Sequence, residues 1–256
     1  MRSFFFVFLF SFVLYACNNN DDIADIKLNE EFQYLGVDEV FYLTTAIKAP
    51  EDKSCLVTWK SSDESIATVS TNGMVTALSE GKVVITATVE KKSVYCNIEV
   101  LTYNFNGASA YKNNNNANTP QYEFILMKNN GADNSNAEIK SGNVMMHLDI
   151  FTSLATPNLF AETYKPTDAS NRSDFSFLKG ENLEDEDLAG SYIEDKCKFN
   201  STFLINDGVL TIVNSEGTQY LIRGDFSTTD LSGNVKPVSF IYSGNISLRS
   251  DPVIIF

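Results

Sequence analysis

The segments Val57-Thr58-Trp59-Lys60-Ser61-Ser62-Asp63, Ile66-Ala67-Thr68-Val69, Asn72-Gly73-Met74-Val75-Thr76-Ala77 and Glu80-Gly81-Lys82-Val83-Val84-Ile85-Thr86-Ala87 follow one another in order. They decide the fold of the N-terminal part. Short runs rich in β-branched residues alternate with turn residues, and no helical period lasts longer than a turn. Thr71-Asn72-Gly73 divides Ile66–Ser70 from Met74–Ser79, and Asn-Gly favours a hairpin because both residues tolerate positive φ. Ser79-Glu80-Gly81 then turns the chain into Val83–Val89. Upstream, Val40 to Ile47 alternates as one strand, with Phe41, Leu43, Thr45 and Ile47 on one face. About seven short strands between residues 23 and 101 predict a β-sandwich.

The same residues, in the same order, resemble the bacterial immunoglobulin-like group 2 family over nearly all of residues 23–101. The resemblance implies an immunoglobulin-like sandwich with Trp59 in its core. It implies a spacer or adhesion module of the kind found on surface proteins such as intimins and invasins, with no enzymatic activity and no fixed binding motif. The alternative use of Trp59 is a stacking platform for a sugar.

The N-terminus reads as an address. Phe4 to Ala16 carry no charge and follow Arg2. About 20 apolar residues are needed to span a bilayer, so this run is too short for an anchor and has the pattern of a secretory signal. Leu14-Tyr15-Ala16-Cys17 resembles the lipobox of bacterial lipoproteins. That resemblance implies cleavage before Cys17, a diacylglyceryl thioether on its sulfur and an acylated new terminus. Two or three acyl chains hold a protein firmly where one gives marginal binding. Asn18-Asn19-Asn20-Asp21-Asp22 resembles the acidic export signal of Bacteroidota lipoproteins, which implies the outer face of the outer membrane. The expected organisation is a signal peptide at 1–16, an acidic tether at 17–22, the immunoglobulin-like domain at 23–101 and a second β-rich domain at 103–256.

Export to an oxidising compartment makes a Cys55–Cys96 disulfide the expectation. Closing that loop would stabilise by about 4 kcal/mol on the chain-entropy model. Two separate buried thiols are the alternative. Cys197 is then expected to be a buried small hydrophobe.

Composition narrows the function classes. The chain has 256 residues, 43% of them hydrophobic, which suffices for sizeable cores. Its net charge of −14 disfavours phosphate backbones, so no nucleic-acid partner is expected. A single histidine and four cysteines argue against multi-histidine and zinc-finger centres. No cofactor and no metal are expected.

The second domain carries strand patterns without a motif. Asn143–Thr152, Thr202–Ile205, Val209–Val213, Tyr220–Arg223 and Val238–Ile246 read as strands, linked by turns such as Asp207-Gly208. Val144, Met146, Leu148 and Ile150 share one face, and Val238, Phe240, Tyr242 and Ile246 another. An all-β chain follows, with the second domain an antiparallel β-sandwich or an open barrel. Tyr111 and Tyr122 lie near Asn-rich loops and are candidate ligand-binding residues, since an aromatic face covers a pyranose while amides bond its hydroxyls. The alternative is strand core. His147 and Asp149 sit two apart on a strand, yet no Gly-x-Ser-x-Gly elbow supplies a nucleophile. The acid run Glu181–Asp187 reads as a solvated loop, with calcium as the alternative.

The expected function is a lipid-anchored surface binding protein, its spacer presenting a β domain to carbohydrate. The first alternative is a structural or adhesive protein that contacts other surface proteins, and the second a glycan hydrolase. No catalytic residue is assigned.

Overall fold

In a computed structural model, the structure describes residues 25–49, 55–113, 120–128, 143–152, 162–168, 170, 173–174, 176–182, 188–246 and 248–249. Cys17, the tether 17–22 and positions 183–187 of the acid run lie outside the described residues. The described residues form strands and turns and no helix, so the all-β expectation holds. None of them forms a helix long and apolar enough to cross a membrane.

The first domain contains β1 (Asp25–Leu28), β2 (Phe32–Gly36), β3 (Val40–Tyr42), β4 (Thr45–Lys48), β5 (Thr58–Ser61), β6 (Ala67–Val69), β7 (Met74–Ala77), β8 (Gly81–Val89) and β9 (Lys92–Leu101). One sheet has the order β2-β9-β8-β5 and a second the order β3-β7-β6, with β1 and β4 paired separately. Alternation sends Leu35, Val83, Ile85, Cys96, Ile98 and Val100 inward from the first sheet, where they meet Ala67, Val75 and Ala77 from the second. Trp59 packs against this cluster, so its place is the sandwich core.

The run Val40–Ile47 is two strands, not one. Leu43 donates its amide to the Gly73 carbonyl at 2.9 Å, and there the chain leaves β7 to pair with β1. The Asn72-Gly73 turn forms as its sequence predicts. Gly73 has φ +81, and a Cβ there would lie 2.2 Å from the Leu43 carbonyl oxygen and 2.9 Å from the Trp59 ring. Only glycine admits both the turn and the packing.

The second domain contains β10 (Tyr103–Phe105), β11 (Gly107–Asn113), β12 (Gln121–Lys128), β13 (Val144–Phe151), β14 (Glu162–Thr167), β15 (Ser176–Leu178), β16 (Glu181–Asn182), β17 (Leu188–Ala189), β18 (Tyr192–Asp195), β19 (Ser201–Glu216), β20 (Gln219–Asp230), β21 (Val235–Asn245) and β22 (Leu248–Arg249). The main sheet runs β10-β21-β20-β19-β14-β15-β13-β12-β11-β22, and β18 bridges β13 and β19.

The ring closes because β10 lies parallel to β21, with Tyr103 opposite Phe240, while β11 lies parallel to β22. Within the all-β class that was expected, the second domain takes the form of a closed barrel. Its interior is filled by inward side chains from every quarter, including Tyr122, Phe124, Tyr164, Phe177 and Phe240, as small barrels require.

The two runs expected on either side of Asp207-Gly208 are one continuous strand, β19. Its register shifts between Ile205 and Asp207, and Gly208 takes φ +132 beside the Asp225 carbonyl. A bulge, not a turn, is what that dipeptide makes here.

Candidate functional site at the domain junction

A single residue, Thr102, separates β9 from β10. That is too short for a flexible linker, so the strand leaving the sandwich enters the barrel directly. Its backbone and side chain are held from both sides. Thr102 donates its amide to Ser239 Oγ at 3.2 Å, and Ser239 donates its amide to Thr102 Oγ1 at 3.0 Å. The Glu80 carboxylate then accepts from both hydroxyls, from Thr102 through Oε1 and from Ser239 through Oε2. Every polar atom named in this exchange has a partner, which is how a buried polar contact stays stable.

Around Thr102 the sandwich supplies acids and the barrel supplies cations. Glu39 Oε1 lies 2.8 Å from Lys128 Nζ, and its Oε2 accepts from the Gly36 amide and from Asn104 Nδ2. Asp38, in a left-handed turn with φ +70, places its carboxylate 2.9 Å from Lys198 Nζ. Glu99 Oε1 accepts from Arg223 Nη2 at 2.7 Å. The hydrogen bond that Arg223 donates to Glu99, with the charges of Glu99 and Asp225, holds its guanidinium above its ordinary value against partial burial.

Between the two domains lies a cleft of about 330 Å³, lined by Asp38, Glu39, Tyr103, Lys128, Cys197 and Lys198 among others. Its floor is built around Asp195, which is fully buried. The Asp195 carboxylate accepts from the amides of Cys197 and Lys198 at 2.8 and 2.7 Å and from the Tyr103 hydroxyl at 2.7 Å. Burial, and next the Asp195 charge, push the Tyr103 phenol far above its ordinary value, so it stays a donor. The charges lining the cleft are paired with one another, an arrangement suited to fixing two domains.

The residues singled out from sequence fall elsewhere. Tyr122 is 1% exposed inside the barrel, so it is core and offers no ring to a sugar. Tyr111 points to the outer side but is 5% exposed, packed with Ile125 and Met145. Cys96 is a free thiol in the sandwich core, so the expected Cys55–Cys96 bridge is not made here. Its sulfur contacts the Asn97 carbonyl, while Cys55 packs in a separate small cluster with Ile26 and Val89. Cys197 is exposed rather than buried, because it occupies the turn that wraps Asp195.

His147 faces Glu123 across the strand pair, with Nε2 3.8 Å from Oε2, and its ring meets Tyr192 edge-on at 5.1 Å. Asp149, its expected partner, accepts from Gln121 Nε2 at 2.7 Å. Among the described residues no group of three or more His, Cys, Asp or Glu side chains is placed to hold a metal ion.

Sequence reasoning missed the junction, although one signal was legible. Two strand-rich domains met with one residue between them, which predicts docking rather than free tethering. Which acids meet which cations was not readable, since Glu99 and Arg223 are 124 positions apart.

No curated protein matches the chain. Among solved structures, domains 5–6 of the S-layer protein SbsC align at 13% identity over 86% of this chain and 98% of that chain, with a TM-score of 0.30. Residues 42–98 match the family model of the bacterial immunoglobulin-like domain (group 2), so the segment containing Trp59 and the Asn72-Gly73 turn is similar to that family.

Proposed function

We propose that this chain is a lipid-anchored, surface-displayed binding protein whose immunoglobulin-like domain is a rigid stand for the barrel. The junction at Thr102 carries this reading. A stand must transmit position, and here one residue of connection is reinforced by three cross-domain ion pairs. The match at residues 42–98 supports a surface or adhesive setting. The lipobox-like Leu14–Cys17 supports the anchor, and the acidic tether supports the outer face of the outer membrane.

A carbohydrate is the favoured ligand class, because a chain of net charge −14 disfavours anionic partners. No nucleic acid is expected as partner, and the chain is read as a binder without turnover. Adhesion to another surface protein by strand addition to the barrel is less favoured, since the main sheet closes on itself. The test is palmitate labelling and protease shaving of whole Gram-negative cells producing the full chain and its Cys17→Ser variant. Labelled protein that is removed from intact cells, with label lost in Cys17→Ser, is the expected result. Labelled protein protected from protease would overturn surface display, and release of sugars from a polysaccharide would overturn the non-enzymatic reading.

A further inference from the structure

We infer that the outward face of the β2-β9-β8-β5 sheet, around Phe32, Tyr34, Tyr95 and Asn97, is a binding shelf for a neutral polysaccharide. This rests on the carbohydrate reading above and moves its site from the barrel to the sandwich. Strand alternation fixes the face: Leu35 on β2 and Cys96, Ile98 and Val100 on β9 point into the core, so Phe32, Tyr34, Tyr95 and Asn97 point out. Tyr95 is 57% exposed and Phe32 46% exposed.

Register brings them together. Phe32 is directly opposite Asn97, and Tyr95 is its diagonal neighbour on β9. The Phe32 and Tyr34 rings lie 4.7 Å apart, nearly edge to face. On the other side of β9, Tyr95 faces Thr86, whose neighbour across β5 is Lys60. The result is a cluster of aromatic rings beside an amide and a hydroxyl on one sheet face. Rings cover the apolar faces of sugars, while an amide and a hydroxyl both donate and accept.

Charge selects the occupant. Where the face approaches the barrel, Glu99 is neutralised by Arg223 and faces Lys82 at 3.9 Å, so that end presents no unpaired acid. Glu30 and Glu31 lie at the opposite rim, and both are exposed. Lys60 and Lys82 stand exposed on the same face, so a polymer of either sign would meet like charges there, whereas an uncharged one would not. The shelf also begins where the domain contact ends. Glu99 is covered, and Asn97 and Tyr95 on the same strand face are open.

The test is affinity electrophoresis of the full chain in gels containing a neutral β-glucan, α-glucan, mannan or galactan, with polygalacturonate as the acidic control. Retardation by at least one neutral polymer is expected, weakened at least tenfold in both Tyr95→Ala and Phe32→Ala. Both side chains are exposed, so thermal melting should stay near that of the parent and show the variants folded. Retardation unchanged in both variants would overturn the shelf while leaving the carbohydrate reading intact. No retardation by any neutral polymer would overturn both, and retardation by polygalacturonate alone would overturn the neutral class.

Discussion

Arg223 Nη2 on the barrel lies 2.7 Å from Glu99 Oε1 on the sandwich, and this contact joins the two domains. The Glu99 side chain is only 10% exposed, so removal of the guanidinium leaves a largely buried carboxylate whose remaining cation is the exposed Lys82, 3.9 Å away.

Arg223→Ala should therefore destabilise the chain by about 1–3 kcal/mol, with solvent at the half-exposed arginine keeping the cost below that of a fully buried pair. Urea unfolding followed by tyrosine and tryptophan fluorescence measures it. The transition should also broaden or split as the sandwich and barrel lose their coupling. An unchanged midpoint and slope would show that the pair contributes nothing to the joint.

Gly73→Ala attacks the sandwich at its turn. The new Cβ would lie 2.2 Å from the Leu43 carbonyl at a positive φ, so the cost should be about 2–4 kcal/mol. Differential scanning calorimetry should show a clear fall in Tm. Gly217→Ala is the control, because nothing lies within 4 Å of the Cβ position there despite its φ of +57.

Acid should weaken the barrel through Glu123. The His147 imidazole, with Nε2 3.8 Å from Oε2, holds its carboxyl below the ordinary glutamate value against the opposing effect of burial. A depressed folded value stabilises fully above the unfolded value and fades as pH falls through the folded one. Stability should thus decline below about pH 4.5, and less steeply in Glu123→Gln. Urea midpoints between pH 3 and 7, on the order of five points, suffice. Equal slopes for the two proteins would remove Glu123 from the effect.

Thiol labelling separates the cysteines. Burial, with the nearby charge of Glu30, pushes the Cys96 thiol up to about 11, and the residue has no exposed surface. Iodoacetamide at mildly alkaline pH should modify Cys197 in the folded protein and reach Cys96 only after denaturation. Peptide mapping that instead finds Cys55 and Cys96 joined would restore the disulfide expected from the compartment.

The sandwich was legible in the sequence because its determinants are local. Alternation in Val83–Val89 and the Asn72-Gly73 turn each act over a few residues. So was the filled face of β13, since Val144, Met146, Leu148 and Ile150 repeat with period two and all reach the barrel interior. Barrel closure was not legible. It depends on Tyr103 pairing with Phe240, a parallel contact between the first and last staves that leaves no local signature. Tyr122 was misplaced for a related reason: a tyrosine beside Asn-rich turns reads as exposed, and only its register on β12 turns it inward. The aromatic shelf was hidden because Phe32 and Tyr95 are far apart in sequence and meet only through the parallel pairing of β2 with β9.

The most direct test of the fixed junction is backbone ¹⁵N relaxation of the intact protein, compared between residues of β8 and β9 in the sandwich and of β20 and β21 in the barrel. One shared rotational correlation time is expected, because Thr102, Glu80 and the ion pairs at Lys128, Lys198 and Arg223 bind the domains into one tumbling body. Two distinct correlation times, each near that of an isolated domain, would contradict the rigid stand.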